Sequence, residues 1–140
     1  MFGVRSRDKD VHFGVRERGR LVAHAGLVEA PVEVGERRLR VAGLGGVIVA
    51  PGMRGRGLAR AVVNAAVEHA RGTGAEFGLL FCLPDRVPLY RRLGWRELEG
   101  GMRVEQPGGV IAHPLHTMWT PLAEDAVWPD GPARLRSLPM

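Results

Sequence analysis

The sequence predicts an α+β fold: one domain over residues 1–140, with a mixed, mostly antiparallel, twisted sheet built around a central βαβ unit. Three observations carry that expectation. Two apolar runs meet at Arg18-Gly19-Arg20, a short polar turn suited to an antiparallel hairpin. A strand-like run then enters a turn rich in glycine and arginine, which is followed by a helical repeat and a second apolar run. Finally, 140 residues that are 45% hydrophobic, with no low-complexity tract, suffice to bury a core without disulfide or metal.

Residues 11–17 and 21–28 read as the first two strands. In the second, Leu21, Ala23, Ala25 and Leu27 alternate with Val22, His24, Gly26 and Val28, giving one apolar and one mixed face. Residues 31–38 contain a turn candidate at Gly35-Glu36. A third strand over 39–49 is interrupted by Gly43, Gly45 and Gly46, which signals a bulge or a close backbone approach. Leu58, Ala61, Val62, Ala65, Ala66 and His69 recur at three- and four-residue spacing, predicting a helix over 57–71 that Gly72 and Gly74 stop.

Residues 77–83 form a short apolar run ended by Pro84-Asp85, as expected of a buried strand. A short helix over 87–93 stops at Gly94, alternation follows through 95–98 and 102–104, and a last strand is expected over 116–121. The tail over 129–140 is too rich in proline and glycine to predict regular structure.

Lys+Arg 20 against Asp+Glu 15 gives a net charge of +5, and Lys9 is the only lysine. The balance favours acidic ligands, but no aromatic-interleaved basic stripe supports nucleic-acid binding, so none is expected. Cys82 is the only cysteine, which excludes an intramolecular disulfide. No signal-peptide pattern and no apolar run near the roughly 20 residues of a membrane span is present, so a cytoplasmic protein without membrane partners is expected.

The stretch from Val47 to Arg60 carries the chemistry. Arg54, Arg56 and Arg60 surround glycines small enough to let backbone N–H groups approach an anion at a helix N-terminus, so the ligand is expected to be phosphorylated. Two nucleotide fingerprints fail. A Walker loop needs a lysine beside these glycines, and a Rossmann pattern starting at Gly55 needs glycine where Arg60 stands.

Arg54-Gly55-Arg56-Gly57-Leu58-Ala59 instead resembles the pyrophosphate loop of GNAT-type acyl-CoA N-acyltransferases: Gln or Arg, two free positions, Gly, one free position, then Gly or Ala. Some thirty residues on, Leu89-Tyr90-Arg91-Arg92-Leu93-Gly94-Trp95 is similar to that family's closing motif, in which an aromatic or leucine precedes Tyr and Gly-aromatic follows after three free positions. The resemblance covers roughly residues 11–105, and the segments Leu21 to Ala25 and Trp128 to Gly131 look most like aminoglycoside 2′-N-acetyltransferases.

The resemblance implies a three-layer fold with splayed strands and acetyl-CoA as co-substrate. It implies backbone groups of Val47, Ile48 and Val49 along the pantetheine arm, residues Arg54 to Ala59 around the pyrophosphate, and Tyr90 as general acid toward the departing thiolate. Gly45, Gly46, Cys82 and His24 are expected on the substrate side, where Gly45 stands at a position that often carries an acidic residue in the family. Glu29 and Glu33 are remote candidates for the base, and water held by backbone carbonyls is the preferred substitute. His113 and His116 lack further partners at ligand spacing, so no metal is expected.

The function expected is acetyl transfer to a primary amine of a small molecule, with a non-catalytic acyl-CoA-binding module or partner subunit as the alternative. The family begins with a strand and two helices, whereas about ten residues precede the first strand here. A shortened version, or a homodimer whose partner supplies that wall, is therefore expected.

Overall fold

The computed structural model describes residues 5–140, so Met1 to Val4 of the expected single domain lie outside the described residues. A nine-stranded sheet runs in the order β5-β8-β4-β3-β2-β9-β6-β7, with β1 paired to β2 beside that path. The strands are β1 (Val11–Glu17), β2 (Arg20–Val34), β3 (Arg37–Val49), β4 (Phe77–Cys82), β5 (Arg96–Glu97), β6 (Arg103–Gln106), β7 (Gly109–Ala112), β8 (His116–Pro121) and β9 (Ala133–Leu135). Among the described residues only β3–β4 and β6–β9 pair in parallel. Helices α1 (Leu58–Arg71) and α2 (Val87–Arg92) follow β3 and β4, and a 3-10 turn at Pro84–Arg86 leads into α2.

β2 is the backbone of the sheet because it is apolar on both faces. Ala23, Ala25 and Leu27 face α1 in one core cluster, while Ala30, Val32 and Val34 belong to the other. It runs through Pro31 without a break. Gly35-Glu36 forms a two-residue turn to β3, so even-numbered residues at this end bond to β3 and odd ones point away. The carbonyl of Pro31 accordingly accepts from the Arg136 N–H on the other side, 2.9 Å away, and the N–H that proline lacks removes no β2–β3 bond.

That second edge of β2 is shared. β1 covers Arg20 to Leu27, and β9 covers Val32 to Val34. The tail was expected to be irregular, and β9 corrects this: an unfilled edge needs partners for its backbone groups, and the proline-free run Ala133–Leu135 supplies them. β7 is likewise additional to the sequence reading, returning on β6 through Pro107-Gly108.

α1 buries Val62, Val63, Ala66 and Ala70 against the sheet. This stripe is rotated from the predicted one, leaving Ala61, Ala65 and His69 exposed. Small residues at several positions made the apolar face ambiguous, and the contacts of Val62 and Val63 with the sheet decide it. On the opposite face Trp128 packs on Phe77 and Trp119, with ring centroids 5.1 and 5.9 Å apart, so this layer is closed by the curl of the sheet and the late chain.

His113 follows β7 and stacks on Phe81 with ring centroids 3.9 Å apart. Its Nδ1 accepts the Leu115 N–H at 3.1 Å, and burial pushes its pKa down from 6.5 to about 4. Between those values the unfolded chain binds more protons than the folded one. The stability that neutral His113 contributes is therefore complete above 6.5 and lost as pH falls toward about 4. Thermal melts across that window should show a falling midpoint, and His113→Phe, which keeps the stack, should flatten the dependence; an unchanged slope would remove His113 as its source.

Candidate active site

β3 and β4 stay in register only from Val41↔Phe77 to Leu44↔Leu80. Beyond that point β3 continues with β2 as far as Val49, while β4 follows β8 to Cys82, so the two strands part. A bulge helps drive them apart. Gly46 and Val47 together oppose Ala25, and Gly46 holds φ at 61°, a conformation that favours glycine. The parted strands open a cleft of about 760 Å³, lined by residues 44–49 of β3, residues 80–82 of β4 with Leu83 beyond it, most of the Arg54–Arg60 loop, and the α2 region from Asp85 to Arg92.

The free edge of β3 faces this cleft. The Ala50 N–H donates to the Val22 carbonyl at 2.8 Å, which fixes the direction of the peptides at this end. By alternation, the N–H groups of Val49 and Val47 point away from β2 into the opening. Val47 and Val49 are half-buried, whereas the Ile48 side chain is 64% exposed.

Next to this edge stands the N-terminus of α1. Gly57 precedes the helix in the left-handed region at φ 75°, no side chain caps the helix, and the first turn carries no acid. The N–H groups of Leu58, Ala59 and Arg60 thus have no partner within the helix and lie at its positive end. Around them the cleft is lined by Arg54, Arg60, Arg86 and Arg92, against the single carboxylate of Asp85. The composition suits an anion carrying several charges.

Tyr90 is set by its neighbours. The Trp95 N–H returns to the Tyr90 carbonyl at 2.9 Å, and the two rings meet edge to face with centroids 6.1 Å apart. Trp95 in turn lies over Gly78 of β4, where a Cβ would come within 2.9 Å of its ring. The phenol borders the cleft while the residue is only 6% exposed. Burial pushes its pKa up to about 12, the nearby Cys82 adds to this, and Arg86 opposes it. Cys82 also borders the cleft, its Sγ 3.8 Å from Met118 Sδ, and burial raises its pKa to about 11, so its thiol stays protonated.

Most of the expected site residues meet here: Gly45, Gly46, Val47, Ile48, Val49, Arg54, Gly55, Gly57, Leu58, Ala59, Cys82 and Tyr90 all line the cleft. Two do not. Arg56 turns back to β1, its Nη1 3.3 Å from Glu17 and 3.2 Å from Met53 Sδ. His24 borders a separate hollow with His12, because alternation along β2 directs it away from the face of Ala23 and Ala25. It donates from Nδ1 to the Gly46 carbonyl at 2.8 Å and so braces the bulge from outside.

The remote carboxylates stay remote: Glu29 pairs with Arg40, and Glu33 with Arg136 at 3.3 Å. Met53, Asp85, Arg86 and Arg92 were missed by the sequence reading. The two flanking arginines were visible signals in Pro84-Asp85-Arg86 and Tyr90-Arg91-Arg92. Among the described residues no group of three or more His, Cys, Asp or Glu converges as a metal site, and no helix is long and apolar enough to cross a membrane.

A family model described as Acetyltransferase (GNAT) domain matches residues 5–98, which span the loop, α1, Tyr90 and Trp95. The chain belongs to the GNAT acetyltransferases. Among curated GNAT relatives it is 32% identical to an aminoglycoside 2′-N-acetyltransferase of Mycolicibacterium fortuitum over 104 residues, 74% of this chain and 53% of that protein. It is 39% identical to glucosamine 6-phosphate N-acetyltransferase 1 of Oryza sativa subsp. japonica over 79 residues, 56% of this chain and 47% of that protein. The chain thus spans about half the length of the curated relatives it matches.

The GNAT fold is also found in a solved structure of YhbS from Escherichia coli in complex with CoA, with TM-score 0.61 and 24% identity over 86% of this chain and 63% of that one. A GNAT acetyltransferase from Brucella melitensis in complex with acetyl-CoA matches with TM-score 0.58 and 22% identity, covering 89% and 64%.

Proposed function

We propose that this GNAT domain transfers an acetyl group from acetyl-CoA to a primary amine of a small amino sugar of the aminoglycoside type. The observation that carries the reading is the parting of β3 from β4 beside an uncapped, glycine-preceded helix N-terminus, with Tyr90 bordering the same cleft. The pantetheine arm adds to the free edge of β3 through the Val47 and Val49 N–H groups. The pyrophosphate rests on the Arg54–Ala59 turn and the first N–H groups of α1. Supporting the acceptor class, both curated relatives are named for acetylation of an amino sugar.

In the reaction the neutral amine attacks the thioester carbon, the C–N bond forms, and the C–S bond breaks with release of coenzyme A. A phenol with pKa about 12 keeps its proton throughout neutral pH. Full transfer to a thiolate whose conjugate acid lies near 8.5 is uphill, so the role assigned to Tyr90 is hydrogen-bond donation that stabilises charge on the departing sulfur. Water takes the proton of the acceptor ammonium.

A thiol-release assay with acetyl-CoA against a panel of aminoglycosides, glucosamine derivatives and polyamines tests the reading. Release should be greatest with aminoglycosides. Acetyl-CoA binding by calorimetry without thiol release from any amine would overturn it in favour of a non-catalytic binding module.

A further inference from the structure

Lys9 is the only lysine in a chain whose other basic side chains are all arginine, and it is not among the groups the proposed reaction uses. Its placement is specific. Leu44 belongs to the core under α1, so Gly45 next to it presents its α-carbon to the opposite face of the sheet. There a Cβ built on Gly45 would stand 2.6 Å from Lys9 Cε, 2.7 Å from the Met140 main-chain oxygen and 3.2 Å from Lys9 Nζ. A Cβ on Gly26, the cross-strand partner of Gly45, would overlap Lys9 Cγ. The two glycines form a seat in which the lysine stem lies flat on the sheet.

The seat is held from both sides of the chain: the Asp10 N–H donates to Leu27 at 2.9 Å, and the Arg7 N–H to Pro139 at 2.8 Å. The ammonium end therefore lies beside Gly45, a residue that also lines the cleft. Nζ donates to the Arg7 carbonyl at 3.1 Å, and among the described residues no ion pair holds it. Burial lowers its pKa, which increases the fraction present as free amine. An arginine at this place could not serve as a nucleophile, because a guanidinium stays protonated.

We propose that Lys9 is an internal acetyl acceptor, modified by the thioester bound in its own cleft. The Nζ lone pair attacks the thioester carbon, the new C–N bond replaces the C–S bond, and the proton lost by nitrogen passes through water to the departing thiolate. The products are Nζ-acetyllysine and coenzyme A, and a cation beside Gly45 becomes a neutral amide. The inference rests on reading the cleft as an acetyl-CoA site.

The test incubates the full chain with acetyl-CoA and no amine acceptor, and follows the Lys9 peptide by mass spectrometry. Acetylation should be first order in protein, unchanged by dilution, and roughly tenfold or more faster than in the urea-unfolded chain. Gly26→Ala, which unseats the lysine without touching the cleft lining, should bring the rate toward the unfolded value while calorimetric affinity for acetyl-CoA is kept. Lys9→Arg should abolish the adduct.

Equal rates in folded and unfolded chain, a rate that rises with protein concentration, or an undiminished rate in Gly26→Ala would each overturn the proposal. If acetyl-CoA binds and Lys9 stays unmodified, self-acetylation fails and the cleft reading stands. If acetyl-CoA does not bind, both fail.

Discussion

Gly57→Val is expected to weaken acetyl-CoA binding by about a hundredfold while leaving the domain folded. Gly57 sits at φ 75°, where a β-branched residue is strained by roughly 1–2 kcal/mol or more. A Cβ there meets nothing within 4 Å, so the side chain branches into open space and no packing is removed. The strain is relieved by rotating residue 57 out of the left-handed region, which re-aims the N–H groups of Leu58, Ala59 and Arg60 at the start of α1. Two charge-assisted hydrogen bonds of about 1.5 kcal/mol each, lost from the phosphate, amount to about a hundredfold. Calorimetry with acetyl-CoA reads the affinity, and circular dichroism checks that the helix persists. An affinity within about threefold of the parent would show that the turn does not hold the phosphates.

That loop was legible because its signals are local. Glycines at 52, 55 and 57, each with φ near 80°, stand between a β-branched run and a helical repeat, and the proposed anion contact needs only backbone N–H groups. The parting of β3 and β4 was also readable from Gly45 and Gly46, since glycine within a strand marks a place where the ladder breaks, whereas Gly43 lies within the paired stretch opposite Leu79.

What stayed hidden depends on contacts distant in sequence. Ala133–Leu135 is a strand only because β1 begins at Val11, the partner of Leu27, and leaves the far half of β2 open. The stripe on α1 could not be placed from spacing, because alanines at 61, 65, 66 and 70 fit either side of the helix until the sheet selects one. Arg86 and Arg92 stand in plain view in the sequence, but a basic residue near a short helix is most often solvated, so nothing tied them to the cleft. Arg56 was drawn elsewhere by Glu17, a partner that no spacing rule connects to it, whereas alternation along β2 had already set His24 on the face opposite Ala23 and Ala25.

Tyr90→Phe should lower kcat by about ten- to a hundredfold while leaving the affinity for acetyl-CoA nearly unchanged. The phenylalanine ring retains the edge-to-face contact with Trp95, so the helix and the cleft wall keep their geometry. What is lost in the proposed reaction is one hydrogen bond to a sulfur that becomes charged only as the C–S bond breaks, and such a bond is worth about 1.5–3 kcal/mol. An interaction made only in the transition state appears in kcat and not in ground-state binding. The pH profile separates this role from that of a titrating acid. With its pKa near 12, Tyr90 is still protonated when an aliphatic acceptor of pKa about 10 has lost its proton. The rate should therefore rise to a plateau on the alkaline side with no downturn from the phenol, in parent and variant alike. A descending limb near pH 9 that disappears in Tyr90→Phe would assign the phenol a lower pKa than its burial implies, and equal kcat in the two proteins would remove Tyr90 from the reaction.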